Sequence, residues 1–224
     1  MLMGHQVKNF GDWHSGFLQH GSNTTIQMGG DTYEMPLARG EACDETKTEV
    51  FQNVDDPNNV KISMVGMDMA KMGPVLQSEA FKVMGEKSIV RQDPPSVLMD
   101  MPPPGAPPPP TPPPPPDMWI VIEVADADKW IAGFKAHGTS TTGTWGYDVG
   151  MARNEFCDES RTKVYKSAKR PNVVAATMCG VKMEMMGALL ANPNFAKMSV
   201  DLGEGQKEGQ KAIKLMVPPP APFA

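Results

Sequence analysis

Arg39-Gly-Glu-Ala-Cys-Asp-Glu-Thr-Lys-Thr-Glu-Val-Phe51 is written twice in this chain of 224 residues. The second copy is Arg153-Asn-Glu-Phe-Cys-Asp-Glu-Ser-Arg-Thr-Lys-Val-Tyr165, at a separation of 114 positions. Further pairs occur upstream at a separation of 117 positions: Trp13, Gly16, Phe17, His20 and Gly21 correspond to Trp130, Gly133, Phe134, His137 and Gly138. Similarity at a nearly fixed spacing is the signature of internal repetition. The sequence is therefore interpreted as a tandem duplication.

The repeat divides the chain into four predicted segments. Two domains of ordinary size are expected at residues 1–101 and 118–217, joined by a polyproline linker at 102–117 and followed by a proline-rich tail at 218–224. Polyproline II is the conformation expected of the linker, which makes it a stiff spacer. The alternative is a docking site for a polyproline-recognising partner.

Hydrophobic periodicity predicts the same order of elements in both copies. In the second copy, a β-branched run at 119–124 predicts a strand, and apolar residues at helical spacing follow it up to His137. Two further strands are expected at 162–167 and 173–179, then a methionine-rich helix broken at Asn192-Pro193, and a closing strand at 212–217. In the first copy, the closing strand is expected at 96–101. The order β-α-β-β-α-β predicts an α+β fold made of two ferredoxin-like units.

Composition excludes several functional classes. The net charge is −5 and no basic stripe is present, which argues against nucleic-acid binding. No apolar run approaches the ~18 residues that predict a membrane span, and nothing resembles a signal peptide. We therefore expect a soluble protein of the cytoplasm or an organelle lumen. Three cysteines without a CxxC pair argue against a disulfide scaffold or a structural zinc site.

Three local patterns resemble the dimeric α/β-barrel superfamily, which includes antibiotic-biosynthesis-monooxygenase-like and polyketide-cyclase-like domains. The patterns are Trp130-x3-Phe134-x2-His137, the hairpin Val164-Tyr-Lys-Ser-x3-Pro-Asn-Val-Val174, and the helix broken at Asn192-Pro-Asn-Phe195. The resemblance implies that the two copies form one barrel within a single chain, as a monomeric pseudo-dimer. It also implies a pocket between each sheet and its helices, suited to a small apolar or carbonyl-bearing ligand. The inserts Ser22–Ala38 and Thr139–Ala152 depart from the pattern and are long enough to cover or fill such a pocket.

Histidines at the end of each first helix are the predicted catalytic groups. His20 and His137 would act as general acid or base, or as metal ligands, within a pocket. The alternative is that each caps its helix, because a cation is favourable at a helix C-terminus.

An arginine and a glutamate lie two positions apart in both copies. On a strand, Arg39 with Glu41 and Arg153 with Glu155 would point to the same side and bind an anionic or carbonyl-bearing ligand. The alternative is a structural ion pair.

Loop aromatics complete the predicted ligand-binding set. Trp145 and Tyr147 belong to a Gly-rich loop and are expected at the mouth of a pocket, with Tyr33 in a similar place in the first copy.

Metal and cofactor chemistry is not favoured by the sequence. Cys43 and Cys157 precede Asp-Glu pairs, but no tight ligand spacing accompanies them, so neither a metal site nor a disulfide between them is the preferred interpretation. Among the nineteen methionines, Met69, Met72 and Met84 correspond to Met183, Met186 and Met198 at helical spacing, which is typical of an adaptable core. No dinucleotide fingerprint, phosphate loop or Ser-His-Asp order is present, and no cofactor is predicted.

Two functional classes remain open. The first is a small-molecule site, in a binding protein or a cofactor-independent oxygenase-like or cyclase-like enzyme. The second is a non-catalytic assembly module with proline arms. An open apolar pocket that holds a polar histidine would favour the first class, and a pocket filled by its own side chains would favour the second.

Overall fold

The computed structural model describes residues 1–101, 115–203 and 211–219, with the backbone alone at Lys211. The polyproline segment and the tail were predicted at 102–117 and 218–224, and most of both lies outside these ranges. The described residues contain six α-helices and ten β-strands, so the predicted α+β class is confirmed. The described residues form two compact units, one at residues 1–96 with Pro219 and one within residues 97–218.

The first unit follows the predicted order with one addition. Its elements are β1 (Leu2–Val7), α1 (Phe10–His20), β2 (Thr25–Met28), β3 (Asp31–Glu34), a 3-10 turn (Arg39–Glu41), β4 (Glu49–Asn53), β5 (Asn59–Ser63), α2 (Met69–Gln77), α3 (Glu79–Ser88) and β6 (Ile89–Asp100). The addition is the β2–β3 hairpin, which forms within the insert that precedes the 3-10 turn.

An antiparallel sheet organises the first unit, with its four strands in the order β6-β1-β5-β4. Successive side chains of a strand point to opposite faces, and the odd-numbered residues of β1 face the helices. Val7 of β1 packs there with Trp13 of α1 and with Val60 and Ile62 of β5. Gly4 lies on the other face, where a β-carbon would collide with the ion pair formed by Lys61 and Asp93.

The second unit repeats this arrangement. Its elements are β7 (Asp117–Glu123), α4 (Ala127–His137), a 3-10 turn (Arg153–Glu155), β8 (Asp158–Ser167), β9 (Val173–Cys179), α5 (Met183–Ala191), α6 (Pro193–Asp201) and β10 (Lys211–Val217). The strand order is β10-β7-β9-β8, again antiparallel. All seven residues of β9 are buried, which agrees with a sequence that is apolar except at Thr177.

β6 is the element that departs most from expectation. It begins at Ile89, seven positions before the predicted start, and includes Pro94 and Pro95. Between the pairs Leu2–Ser96 and Gly4–Asp93 its register against β1 shifts, so the two prolines lie in an irregularity of the ladder. Proline lacks a backbone N–H and is tolerated in a sheet at such positions. Residues 97–100 of β6 belong to the second unit, where they pair with β10.

Candidate functional site

A cavity of about 290 Å³ lies between the sheet and helices of the first unit. Its wall is mostly thioether and aromatic, with a few polar side chains. The lining includes Met1, Met3, His5, Trp13, Phe17, His20, Met28, Arg39, Ile62, Met64, Met67, Met69, Met72, Phe81, Met84 and Gln92. An apolar concavity with few polar groups is the usual form of a small-molecule site.

His5 of β1 is the polar group that distinguishes this cavity. It lies on the helix-facing side of the strand, 6% exposed, with its ring edge-on to Trp13 at a centroid distance of 6.0 Å. Its Nδ1 is buried and has no hydrogen-bond partner among the described residues. Burial lowers the pKa of His5 to about 4, against an opposing effect of the Asp93 carboxylate. The imidazole is therefore neutral at physiological pH, and its Nδ1 is left unpaired among the described residues.

His20, the predicted catalytic residue of this unit, also lines the cavity. Its Nε2 lies 3.2 Å from the carbonyl oxygen of Leu37, so the ring ties the end of α1 to the insert. His137 makes the equivalent bond to the carbonyl of Met151 at 2.9 Å. Burial lowers the pKa of both histidines. Each is thus a neutral imidazole that donates its Nε2 proton to the backbone.

The predicted arrangement of Arg39 with Glu41 on a strand is wrong, because Arg39–Glu41 forms a 3-10 turn. The guanidinium instead makes two bonds to Glu45, Nε to Oε1 at 2.6 Å and Nη2 to Oε2 at 2.7 Å. It lies 3.4 Å above the ring of Phe17 and donates from Nη1 to the Phe17 carbonyl. Glu41 accepts from the backbone N–H of Ala38.

The second unit repeats this network around Arg153. The guanidinium bonds both carboxylate oxygens of Glu159, lies 3.5 Å above the Phe134 ring and donates to the Phe134 carbonyl. Glu155 accepts from Ala152. These contacts join the first helix of each unit to the repeated motif and give the arginines a structural function.

The cysteines lie beside the same ion pairs. Cys43 donates to Glu45 and Cys157 to Glu159, and both are free thiols, as is Cys179. Burial raises the pKa of the Cys43 thiol and raises that of Cys157 to about 12. Neither is activated as a nucleophile.

The equivalent cavity of the second unit is nearly full, at about 70 Å³. Trp145 enters it from the Gly-rich loop and lies directly on Gly133 of α4, where any side chain would collide with the indole. In the first unit, Met28 occupies this place against Gly16. Both inserts thus reach their pockets, as the sequence suggested, but only the second fills one.

The remaining predicted site aromatics lie in other surroundings. Tyr33 packs with Ile26, Met28 and Met35 beneath the β2–β3 hairpin and does not belong to the cavity lining. Tyr147 donates its hydroxyl proton to Asp201, with Lys197 5.6 Å from its ring centroid.

Sequence reasoning missed His5. At the separation of 117 positions that relates the two first helices, His5 corresponds to Ile122, so the two copies of the pattern differ at this position. A histidine at a core-facing strand position, where the other copy has isoleucine, was the available signal.

Metal-binding clusters and membrane-spanning helices are absent from the described ranges. No group of three His, Cys, Asp or Glu side chains there is placed to hold a metal ion. In these ranges none of the helices combines the length and apolar character needed to cross a bilayer.

Comparisons with known proteins give only distant similarity. A scan against protein-family models finds no match, and a search of curated proteins finds none either. Among solved structures, a putative monooxygenase from Lactobacillus acidophilus NCFM matches with 11% identity and a TM-score of 0.31, over 96% of this chain and 91% of that one. A putative monooxygenase from Fusobacterium nucleatum subsp. nucleatum ATCC 25586 matches with 9% identity and a TM-score of 0.30, over 96% and 89%.

The unequal cavities predict unequal tolerance of a larger side chain. Met84 and Met198 are equivalent in the repeat, and each lines the cavity of its own unit. Met198 is 1% exposed, so Met198→Trp overpacks a full site and is expected to lower the free energy of unfolding by about 2 kcal/mol. Met84→Trp has open space to enter and is expected to cost less than about 1 kcal/mol. Urea denaturation measures both, and equal losses would contradict the assignment of one open and one filled pocket.

Proposed function

We propose that the first unit binds one small, largely apolar molecule in the His5 cavity, and that the second unit is a filled structural copy. The observation that carries this proposal is the contrast between the two cavities. One has about 290 Å³ of space and is lined by His5, whose buried Nδ1 has no partner among the described residues, and the other has about 70 Å³. A buried polar group without a partner costs free energy, which a ligand with one hydrogen-bonding group would recover.

The chemistry that this cavity would support is proton transfer. A neutral imidazole within an apolar wall can take a proton from a bound hydroxyl or activated C–H group. His5 is the proposed group, with His20 beside the same cavity. Such a transfer is the acid–base step expected of a cofactor-independent oxygenase-like or cyclase-like enzyme. We place His137 outside this chemistry because Trp145 occupies its pocket.

The ancestry of the two units forms part of the proposal. Both have the strand order fourth-first-third-second, which is the order of a ferredoxin-like unit, and both have the Arg–Glu–Phe network. These features support two ferredoxin-like repeats that arose by duplication. We propose that the repeats pair as a pseudo-dimeric barrel within one chain.

Native mass spectrometry of the purified protein, before and after incubation with small apolar carbonyl and hydroxyl compounds, tests these proposals. We expect the mass of a single chain plus one small molecule, and loss of that molecule on denaturation. Met84→Trp, which fills the first cavity, should reduce the bound fraction, whereas Met198→Trp should not. A chain that retains no compound from such a set would refute the binding proposal. A dimer would refute the pairing of the repeats within one chain.

The assembly function remains a prediction for the proline-rich segments. Residues 102–114 and 220–224, on which a polyproline-recognising partner would bind, lie outside the described ranges. No observation of the described units favours it over ligand binding.

A further inference from the structure

The side chain of Trp145 occupies the pocket of the second unit and thereby indicates the shape of group that this pocket accepts. Its indole lies on Gly133, with its ring centroid 6.4 Å from that of Trp130 and 5.9 Å from that of His137. Gly133 has no side chain, so the flat ring can approach the helix backbone directly. The pocket of the second unit is thus occupied by a fused two-ring aromatic group of its own chain.

The first unit has the same residues around its cavity but has no aromatic side chain in the place of Trp145. Trp13, Gly16 and His20 correspond to Trp130, Gly133 and His137, and all three line the open cavity. Met28 lies where Trp145 lies in the second unit, with its sulfur 2.9 Å from the place of a β-carbon on Gly16. Methionine is unbranched and adapts its shape readily, so it can move aside for a ligand.

The two pockets differ in the polar group that they offer to an occupant. The indole Nε1–H of Trp145 is buried and has no hydrogen-bond partner among the described residues. Ile122, which corresponds to His5, lines that pocket and has no polar atom to offer. In the first unit, His5 supplies a buried Nδ1 without a partner. In the Nε2–H tautomer this atom accepts a hydrogen bond, which is what a ring N–H requires.

We propose that the ligand of the first unit is a fused two-ring aromatic molecule with an N–H or O–H donor, of which indole is the simplest example. The ring would lie over Gly16 beside Trp13, and its donor would bond to Nδ1 of His5. This inference rests on the proposed ligand binding and names the chemical class of the ligand.

Calorimetric titration of the full chain with four compounds tests the inference. Indole has the ring shape and the donor, 1-benzothiophene has the shape without the donor, quinoline has a ring acceptor in its place, and cyclohexanol has a donor without a flat ring. We expect indole to bind at one site per chain, about tenfold more tightly than benzothiophene or quinoline, because neither of the other two offers a proton to Nδ1 of the Nε2–H tautomer. Cyclohexanol should bind more weakly than indole.

Two variants provide matched controls. His5→Ile copies the second unit and should remove the preference for indole over benzothiophene. Trp145→Ala empties the second pocket and should add a second site, which should bind both compounds equally because Ile122 offers no acceptor. Thermal unfolding curves establish that each variant is folded.

The outcomes distinguish this inference from the proposal of small-molecule binding on which it rests. Equal binding of all four compounds would overturn the fused-ring class and leave small-molecule binding intact. A preference for quinoline would contradict the requirement for a hydrogen-bond donor on the ligand. A preference for indole that persists in His5→Ile would contradict the role of His5 as the acceptor of that bond. Failure of every compound to bind would count against both proposals.

Discussion

Replacement of Arg39 by alanine is expected to lower the free energy of unfolding by about 3 kcal/mol. The Arg39 side chain is 5% exposed and Glu45 is 29% exposed, so the carboxylate would remain partly buried without its partner. The substitution also removes the guanidinium from the face of the Phe17 ring and from the Phe17 carbonyl. Urea denaturation of the variant and the unchanged protein, followed by circular dichroism, measures the difference.

Two substitutions separate the effect of losing a positive charge from the effect of losing the planar guanidinium of Arg39. Arg91→Ala removes an arginine that is 63% exposed and is expected to cost less than about 1 kcal/mol. Arg39→Lys keeps the charge and loses the two parallel bonds and the flat stack, so most of the loss should persist. Full stability in Arg39→Lys would show that charge alone stabilises the motif and would contradict this account.

Acidification is expected to destabilise the protein through His5. The pKa of its side chain is about 4 in the fold, compared with 6.5 for an unperturbed histidine. Between these values the unfolded chain binds more protons than the native one, so stability rises with pH across this window and is fully present above about 6.5. Between pH 7.5 and pH 4.5 the loss from this one residue is about 2.5 kcal/mol.

Comparison with His5→Ile isolates the contribution of this side chain. Burial also lowers the pKa of His14, His20 and His137, so they act in the same direction and remain in the variant. Urea unfolding at both pH values should therefore show a smaller acid loss in His5→Ile than in the unchanged protein. Equal losses would mean that His5 is protonated within the fold, contrary to its burial without a partner.

Much of the fold follows from local patterns in the sequence. Helices such as Met183–Ala191 have the bounds that apolar spacing and the following Asn192-Pro193 predict. The start of β6 was missed because Pro94 and Pro95 disfavour a regular strand, and only pairing with β1 makes that segment extended. The β2–β3 hairpin was missed as well, since its stability comes from packing of Ile26 and Tyr33 against α3.

The site was less predictable, because its properties depend on contacts distant in the sequence. His20 and Arg39 do line the cavity, yet the partner of Arg39 is Glu45, since the 3-10 turn directs Glu41 to the backbone instead. Composition alone does not show that Trp145 lies inside a pocket rather than at its mouth. The importance of His5 arises from the space around it, which no local pattern reports.

The filled pocket of the second unit has a consequence for how binding should be interpreted. In a symmetric homodimer both subunits share one sequence, so binding to only half of the sites requires negative cooperativity. Here Trp145 and Met28 are separate residues of one chain, and each pocket has its own wall. If the proposed ligand binds, its restriction to one of the two pockets would therefore follow from this difference in sequence. A binding curve for this protein should be hyperbolic, with no coupling energy between the pockets to explain.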